Sequence, residues 1–462
     1  MGYLVLLIVY SLAQIALGLW IGRRVRTSSD FFVAGRSLGP GLIFFTMLAA
    51  NIGGGSTVGA TRLGYRDGLA AVWWVGSAAI GSVVLALWIG PAIRRLAATH
   101  DLRTVGDFLE FRYGPAVRTV IALLLWVGAL FILGGQLIGI SRILTVVIGV
   151  PKATGCILGG IVITAYFTAG GLQTSAWVNV IQLIVKIAGF ALALPLALSA
   201  VGGLSTLREL HPTPDYWNLW KGGGSGIVYL AMLGPAFVIS PGLLQKIYGA
   251  RDDRAVTLGV GANAVGLFAY AMVPVLMGMV ARVRFPNLAP AEYELALPLV
   301  LMHVVPPVVG AIGLAAVFSA EVSAADAVLF MLTTSLAKDL YKRFINQAAS
   351  DAEVLRVTRL TAIFAGALGV VIALIAASIV DALGIFYTLM AVGLFVPVLA
   401  GLYSRRAGTP EALAAIFAGI AVVMAMQLTY GAGGHWGWTP AMAGLAAAVV
   451  AFGVMLAARG RR

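Results

Sequence analysis

The chain has 462 residues, of which 60% are apolar and only 11% charged, with a formal net charge of +13. That balance excludes a soluble domain and points to an all-α polytopic membrane protein. The positive charge is no nucleic-acid signal, because Lys and Arg fall in short loops between apolar spans, where they set topology. The single Cys156 has no partner for a disulfide, and the four His (His100, His211, His303 and His435) show no metal-ligand spacing.

Taken in order, hydropathy predicts about 13 transmembrane helices, at 3–22, 41–64, 70–92, 117–149, 153–170, 175–202, 225–247, 256–281, 305–341, 354–379, 381–403, 409–431 and 438–458. The first lacks a basic start and a small-residue cleavage site, and reads as a retained helix. Tiny loops at 149–152 and 169–172 make their flanking spans antiparallel neighbours. The basic, amphipathic stretch 104–112 suits a helix on the membrane surface. The loop 203–224 carries Tyr216, Trp217 and Trp220, which suit an interfacial lid, and 290–298 suits a short helix. The span 305–341 is too long for a bilayer and reads as protruding. No soluble catalytic or kinase domain is expected after the last span.

Alternate loops differ in charge: 22 of the 31 Lys and Arg fall in one set and 7 in the other. The first set is then cytoplasmic, with the N-terminus outside, the C-terminus inside and the plasma (inner) membrane as the location.

Two spans are interrupted. Asn51-Ile52-Gly53-Gly54-Gly55-Ser56-Thr57 places three glycines at membrane depth, each about 1 kcal/mol worse than Ala inside a helix. One reading is close helix packing. The other is an unwound segment whose free carbonyls bind a cation. Counting core helices from 41–64, the sixth carries Gly234-Pro235 and Ser240-Pro241-Gly242. Five spans is an odd number, so two such halves have opposite topology, the signature of an inverted-repeat transporter with a midplane site. On core helix 8, Phe318 to Ala327, residues 320, 323, 324 and 327 share a face flanked by Glu321 and Asp326. Carboxylates at this depth are functional candidates; otherwise they cap backbone breaks or pair with a neighbouring cation.

Several stretches then resemble the sodium/solute symporter family, bacterial relatives of sodium-coupled glucose, proline, sialic acid and choline transporters. They are Asp30 to Gly39, Ala49 to Gly55, Ala169-Gly170-Gly171-Leu172 with Trp177 to Gln182, Ser323 to Asp326 with Lys338-Asp339-Leu340-Tyr341, and Pro397 with Gly401-Leu402-Tyr403. The resemblance implies a leucine-transporter-like 5+5 inverted repeat. The first repeat would be 41–202 and the second 225–403, with one helix before them (3–22) and two after (409–458).

It also implies a sodium site between core helices 1 and 8, from the carbonyls of Ala49, Ile52 and Ala320 and hydroxyls at Ser323 and at the position of Ala324. With Ala324 the set is one oxygen short of the five or six a hard cation takes. Core helix 5 usually carries an Asp where Asn179 stands. Lys186, seven residues on, shares that face, and a mid-span lysine costs several kcal/mol unless paired or deprotonated. Lys186 is thus expected to fill the vacated sodium site, paired with Glu321, with coupling to protons or none. Otherwise it snorkels, or pairs with Asp326 or a carbonyl.

Asn51, Gly53, Gly54, Gly55, Ser56, Thr57, Gln136 and the 234–245 region are substrate candidates. Trp73 and Trp74 are expected to be interfacial anchors rather than ligand contacts. The triple glycine resembles the choline-transporter branch, but Asn51 stands where that branch has an aromatic residue, against a quaternary-amine cage. The expected function is cation-coupled symport of a small polar organic solute. The alternatives are sodium-independent transport through Lys186 and a transporter-like solute sensor. No nucleophile–base pair suggests an enzyme, no cofactor beyond a coupling sodium ion or proton is expected, and the expected partners are the solute and the lipid bilayer.

Overall fold

The computed structural model describes residues 2–22, 36–210, 213–221 and 226–459. Residues 30–35 of the first resembling stretch, His211, Arg23, Arg24, Arg26, Arg461 and Arg462 lie outside the described residues. The helices are α1 Gly2–Gly22, α2 Pro40–Asn51, α3 Ala60–Asp67, α4 Val72–Val84, α5 Gly90–Thr99, α6 Val105–Tyr113, α7 Pro115–Ile148, α8 Lys152–Ser199, α9 Gly203–Leu210 and α10 Pro214–Trp217. They continue as α11 Tyr229–Val238, α12 Pro241–Tyr248, α13 Asp253–Arg284, α14 Ala296–His303, α15 Pro307–Thr334, α16 Asp351–Ile375, α17 Ile379–Tyr403, α18 Thr409–Tyr430 and α19 Pro440–Arg459.

Ten helical runs among the described residues are long and apolar enough to cross a membrane. The expected count of thirteen differs because Gly2–Gln14, Pro40–Asn51 and Lys152–Ala165 are shorter apolar helices over those residues. Two expected loops are wound instead of open. One is at 65–69, where the run Gly55–Thr99 passes through Gly68 at φ 71°. That left-handed value lets the chain turn back on itself with no residue spent on a loop.

The other is at 169–172, inside the helical run of α8. The contacts of the two halves of α8 nevertheless show a reversal between them. Lys152 Nζ donates to Ala376 O at the end of α16, and Thr164 lies against Gly366 further back, so this half is antiparallel to α16. Gln182 O accepts from Ser319 Oγ, and Gly189 packs on Ile312 and Ala316, so the second half is antiparallel to α15. As α15 and α16 are successive spans, the two halves of α8 oppose each other.

Both predicted interruptions are present. The α2 helix ends at Asn51, Ile52 adopts φ −86°, ψ 79°, and Gly55–Gly59 is wound as a π-helix before α3 begins. Between α11 and α12, Ile239 and Ser240 leave the helical region, with ψ of 14° and 119°. The Ser240 carbonyl then takes the amides of Leu243 and Leu244 at 3.1 and 2.8 Å to start α12.

The surface helix α6 is anchored by a capping box in which Thr104 Oγ1 accepts from Asp107 N at 3.0 Å. It is not a free membrane-surface helix, because Val105, Phe108 and Leu109 are buried in the core. Nearby, Arg36 Nη2 pairs with Asp101 at 2.6 Å and Nη1 donates to Ala97 O. The Arg103 and Arg36 guanidiniums hold the Asp101 carboxyl below its usual range. The 203–221 segment is tied down: Tyr216 Oη donates to Gly64 O at 2.8 Å, and Trp73 Nε1 donates to Leu219 O at 2.8 Å. Trp73 thus anchors this segment. The 305–341 span appears as α15 followed by a π-wound extension, Ser335–Ile345.

Helices α3 and α13 cross through glycine. A Cβ at Gly278 would sit 2.2 Å from Thr61 O, and one at Gly64 would sit 2.5 Å from Val275 O. The backbones therefore touch, as small residues permit in membranes. Gly278→Leu is expected to destabilise the protein by about 1–3 kcal/mol or more, read as a lowered melting temperature in detergent. Gly261→Leu on the same helix, where a Cβ meets nothing within 4 Å, should leave it unchanged; equal losses would refute the crossing.

Candidate functional site

Unwinding α2 at membrane depth releases backbone groups that have no water to bond to, so each needs a named partner. Lys186 Nζ donates to Ala49 O at 2.7 Å, Ile52 O at 2.9 Å and Ser323 Oγ at 2.6 Å. Ser56 Oγ reaches Asn51 O at 2.8 Å and accepts from Gly53 N at 3.0 Å. Thr57 Oγ1 donates to Gly53 O at 2.9 Å, while Gly59 N donates to Gly54 O at 2.8 Å. Gln136 Oε1 on α7 accepts from Gly54 N, and Trp74 Nε1 on α4 donates to Gly55 O, both at 2.8 Å.

Lys186 is fully buried on α8. An ammonium has three N–H donors, and here three oxygens take them. Ser323 Oγ lies 3.1 Å from both Ala49 O and Ala320 O, so these groups converge on one point. They are four of the five groups that the resemblance assigns to sodium. At the fifth, Ala324, the methyl group offers no oxygen and instead packs where a Cβ on Gly53 would stand, 2.6 Å away. An ammonium within 3 Å of Ala49 O, Ile52 O and Ser323 Oγ leaves no room for a second cation among them.

The expected Lys186–Glu321 pair does not form. Among the described residues no ion pair joins them, and neither carboxyl oxygen of buried Glu321 has a hydrogen-bond partner. Ser323 points at Lys186; Glu321, two residues earlier, projects roughly 200° away around a 3.6-residue turn. Its carboxyl fills the space that side chains at Gly54 and Gly139 would occupy: a Cβ there would lie 2.2 Å and 2.3 Å from its oxygens.

A cavity of about 240 Å³ opens beside the broken segment. Asn51, Gly53, Gly55, Ser56, Gln136 and Asn179 line it, as do Ala324 and, from the second broken pair, Phe237, Ser240, Gln245 and Lys246. Of the sequence candidates, Gly54 and Thr57 serve the backbone behind the wall, and Asp326 is buried outside the lining. Asn51 Nδ2 also donates to Asn263 Oδ1 at 3.1 Å.

Trp74 corrects an expectation: it is 4% exposed and lines the cavity, not the interface. Its ring meets Tyr229 and Tyr387, at 5.0 and 6.2 Å. Hydropathy misplaced it because an indole suits an interface and a pocket equally well. Lys246 was grouped with the loop cations, although its i+4 spacing from Gly242 puts both on one face of α12.

The sodium:solute symporter family description matches residues 31–419. The Escherichia coli (strain K12) sodium/pantothenate symporter is 28% identical over 456 residues, 92% of this chain and 91% of that one. High-affinity choline transporter 1 of Drosophila melanogaster is 28% identical over 391 residues, 81% of this chain; the chain spans 62% of that relative's length. Among solved structures, a substrate-bound, outward-open Na+-coupled sialic acid symporter superposes with a TM-score of 0.82 at 20% identity, covering 99% of this chain and 98% of that one. A nucleobase-cation-symport-1 family transporter in a closed conformation gives 0.56 at 13% identity, covering 94% and 95%. These likenesses show the all-α, leucine-transporter-like membrane fold. The chain belongs to the sodium:solute symporter family and is a multi-pass transporter, not an enzyme.

The glycine cradle is testable by a double-mutant cycle. Gly54→Ala is expected to lower stability by about 1–3 kcal/mol through overpacking. Glu321→Ala in the same chain should recover part of that loss, the remainder arising from Gln136 Oε1 at 2.9 Å from the new Cβ. Additive melting-temperature losses would mean that the two residues do not share space.

Proposed function

We propose that this symporter-family chain imports a small organic solute across the plasma membrane by alternating access, with Lys186 standing in for the sodium ion between core helices 1 and 8. The observation that carries the reading is the set of three hydrogen bonds from Lys186 Nζ to Ala49 O, Ile52 O and Ser323 Oγ. An ion joins and leaves such a site from solution; a lysine remains attached to core helix 5. Transport would then need no sodium at this position and would run on the solute gradient or on protons.

The helix breaks at Ile52–Gly54 and Ile239–Ser240 support reading 41–202 and 225–403 as inverted repeats, with 3–22 before and 409–458 after. The loop-charge bias supports an outside N-terminus and a cytoplasmic C-terminus. Ordinary sodium coupling is the second reading, favoured by the convergence of four of the expected ligand groups.

Reconstituted protein decides between them through uptake of radiolabelled pantothenate, proline and choline, with and without an inward sodium gradient at equal pH. Uptake of the accepted solute is expected to ignore sodium. Lys186→Ala combined with Ala324→Ser, which frees the carbonyls and adds a hydroxyl, is expected to gain a sodium response. Strong, saturable sodium stimulation of the unmutated protein would reject the lysine reading.

A further inference from the structure

We infer that the solute is an organic anion, a small carboxylate with an apolar body, whose charge is met by Lys246. This rests on the cavity being the solute site and not on the role of Lys186.

Among the described residues, the lining contains one charged side chain, Lys246, and no Asp, Glu, His or Arg. Among the described residues Lys246 has no hydrogen-bond or ion-pair partner. Lys246 is partly buried, and a ligand of opposite charge offsets the hydration that an unpaired cation loses there. Gly242, Gln245, Lys246 and Gly249 all line the cavity, at the i, i+3, i+4 and i+7 spacing of one helix face. Lys246 sits in the last turn of α12, about 9 Å along the axis from the Ser240 break where that helix begins. Gln245 supplies an amide beside the ammonium.

The other wall is aromatic. Trp74, Phe237, Phe386 and Tyr387 line it, with the Phe237 and Tyr387 rings 5.6 Å apart. A body of hydrocarbon or a flat ring fits there, and a bare halide would leave that wall unused. A quaternary ammonium would bring a second positive charge into a cavity whose described lining holds no carboxylate.

The test uses the full chain in lipid nanodiscs and reads binding by quenching of tryptophan fluorescence. Benzoate, phenylacetate, nicotinate and hexanoate are each compared with their own amide, alongside choline and iodide, in potassium chloride and again in sodium chloride. At least one carboxylate is expected to bind about tenfold or more tightly than its amide, the size of one charge-assisted hydrogen bond. Lys246→Gln should equalise the pair, and Lys246→Arg should keep the preference. The inference is overturned if acid and amide bind alike, if choline or iodide is the tighter ligand, or if no carboxylate in the set binds. Binding that requires sodium would count against the Lys186 reading alone, since the acid–amide comparison stands in either salt.

Discussion

The site depends on one constraint: carbonyls freed at membrane depth need donors, and the bilayer supplies none. Three donors on one ammonium meet two of those carbonyls and the Ser323 hydroxyl across the gap to α15. The rest of the broken segment is closed by side chains from its own next turn, Ser56 and Thr57, and from two other helices, Gln136 and Trp74. The unwound stretch is thus a fixed polar knot, not a flexible gap. Its shape determines which groups face the cavity.

A lysine tether and a bound ion satisfy the same oxygens with different consequences. An ion leaving to solution exchanges protein oxygens for water at little net loss. Lys186 cannot leave, so any rearrangement that separates α2 from α15 has to break charge-assisted hydrogen bonds, each worth about 1.5–3 kcal/mol. Opening then requires water or solute oxygens to take the place of Ala49 O and Ile52 O. Under the proposed reading, solute occupancy and the movement of core helix 1 are linked through this exchange.

Much of this was legible in the sequence because it follows from composition and periodicity. Apolar runs, loop charge and the paired Gly/Pro interruptions give the membrane class and the two breaks, and Lys186 stands out as a cation inside a span. The misreadings share a cause: they depend on direction around a helix. Whether Glu321 meets Lys186 turns on a two-residue offset, and whether Trp74 faces lipid or cavity turns on how α4 is rotated. Lys246 was lost for the same reason, since a lysine near a span end reads as a loop charge until the face of α12 is known. The reversals at 65–69 and 169–172 were legible as breaks between apolar spans; what was not legible is that helix runs up to both sides of Gly68, which turns the chain at φ 71°.

The triple glycine shows why the two sequence readings of this stretch, close packing and cation binding, were never alternatives. Each glycine faces a different neighbour: a Cβ at Gly53 would meet the Ala324 methyl at 2.6 Å, one at Gly54 the Glu321 carboxyl at 2.2 Å, and one at Gly55 the Leu383 side chain at 2.3 Å. Only with those side chains absent can the segment lie against α15 and α17. That approach brings Ala49 O to 3.1 Å from Ser323 Oγ, within reach of a single ammonium. Close packing is therefore the means by which the carbonyls become a cation site. A larger residue at Gly53 would push the segment off α15, leaving Lys186 able to bond the broken helix or Ser323 but not both.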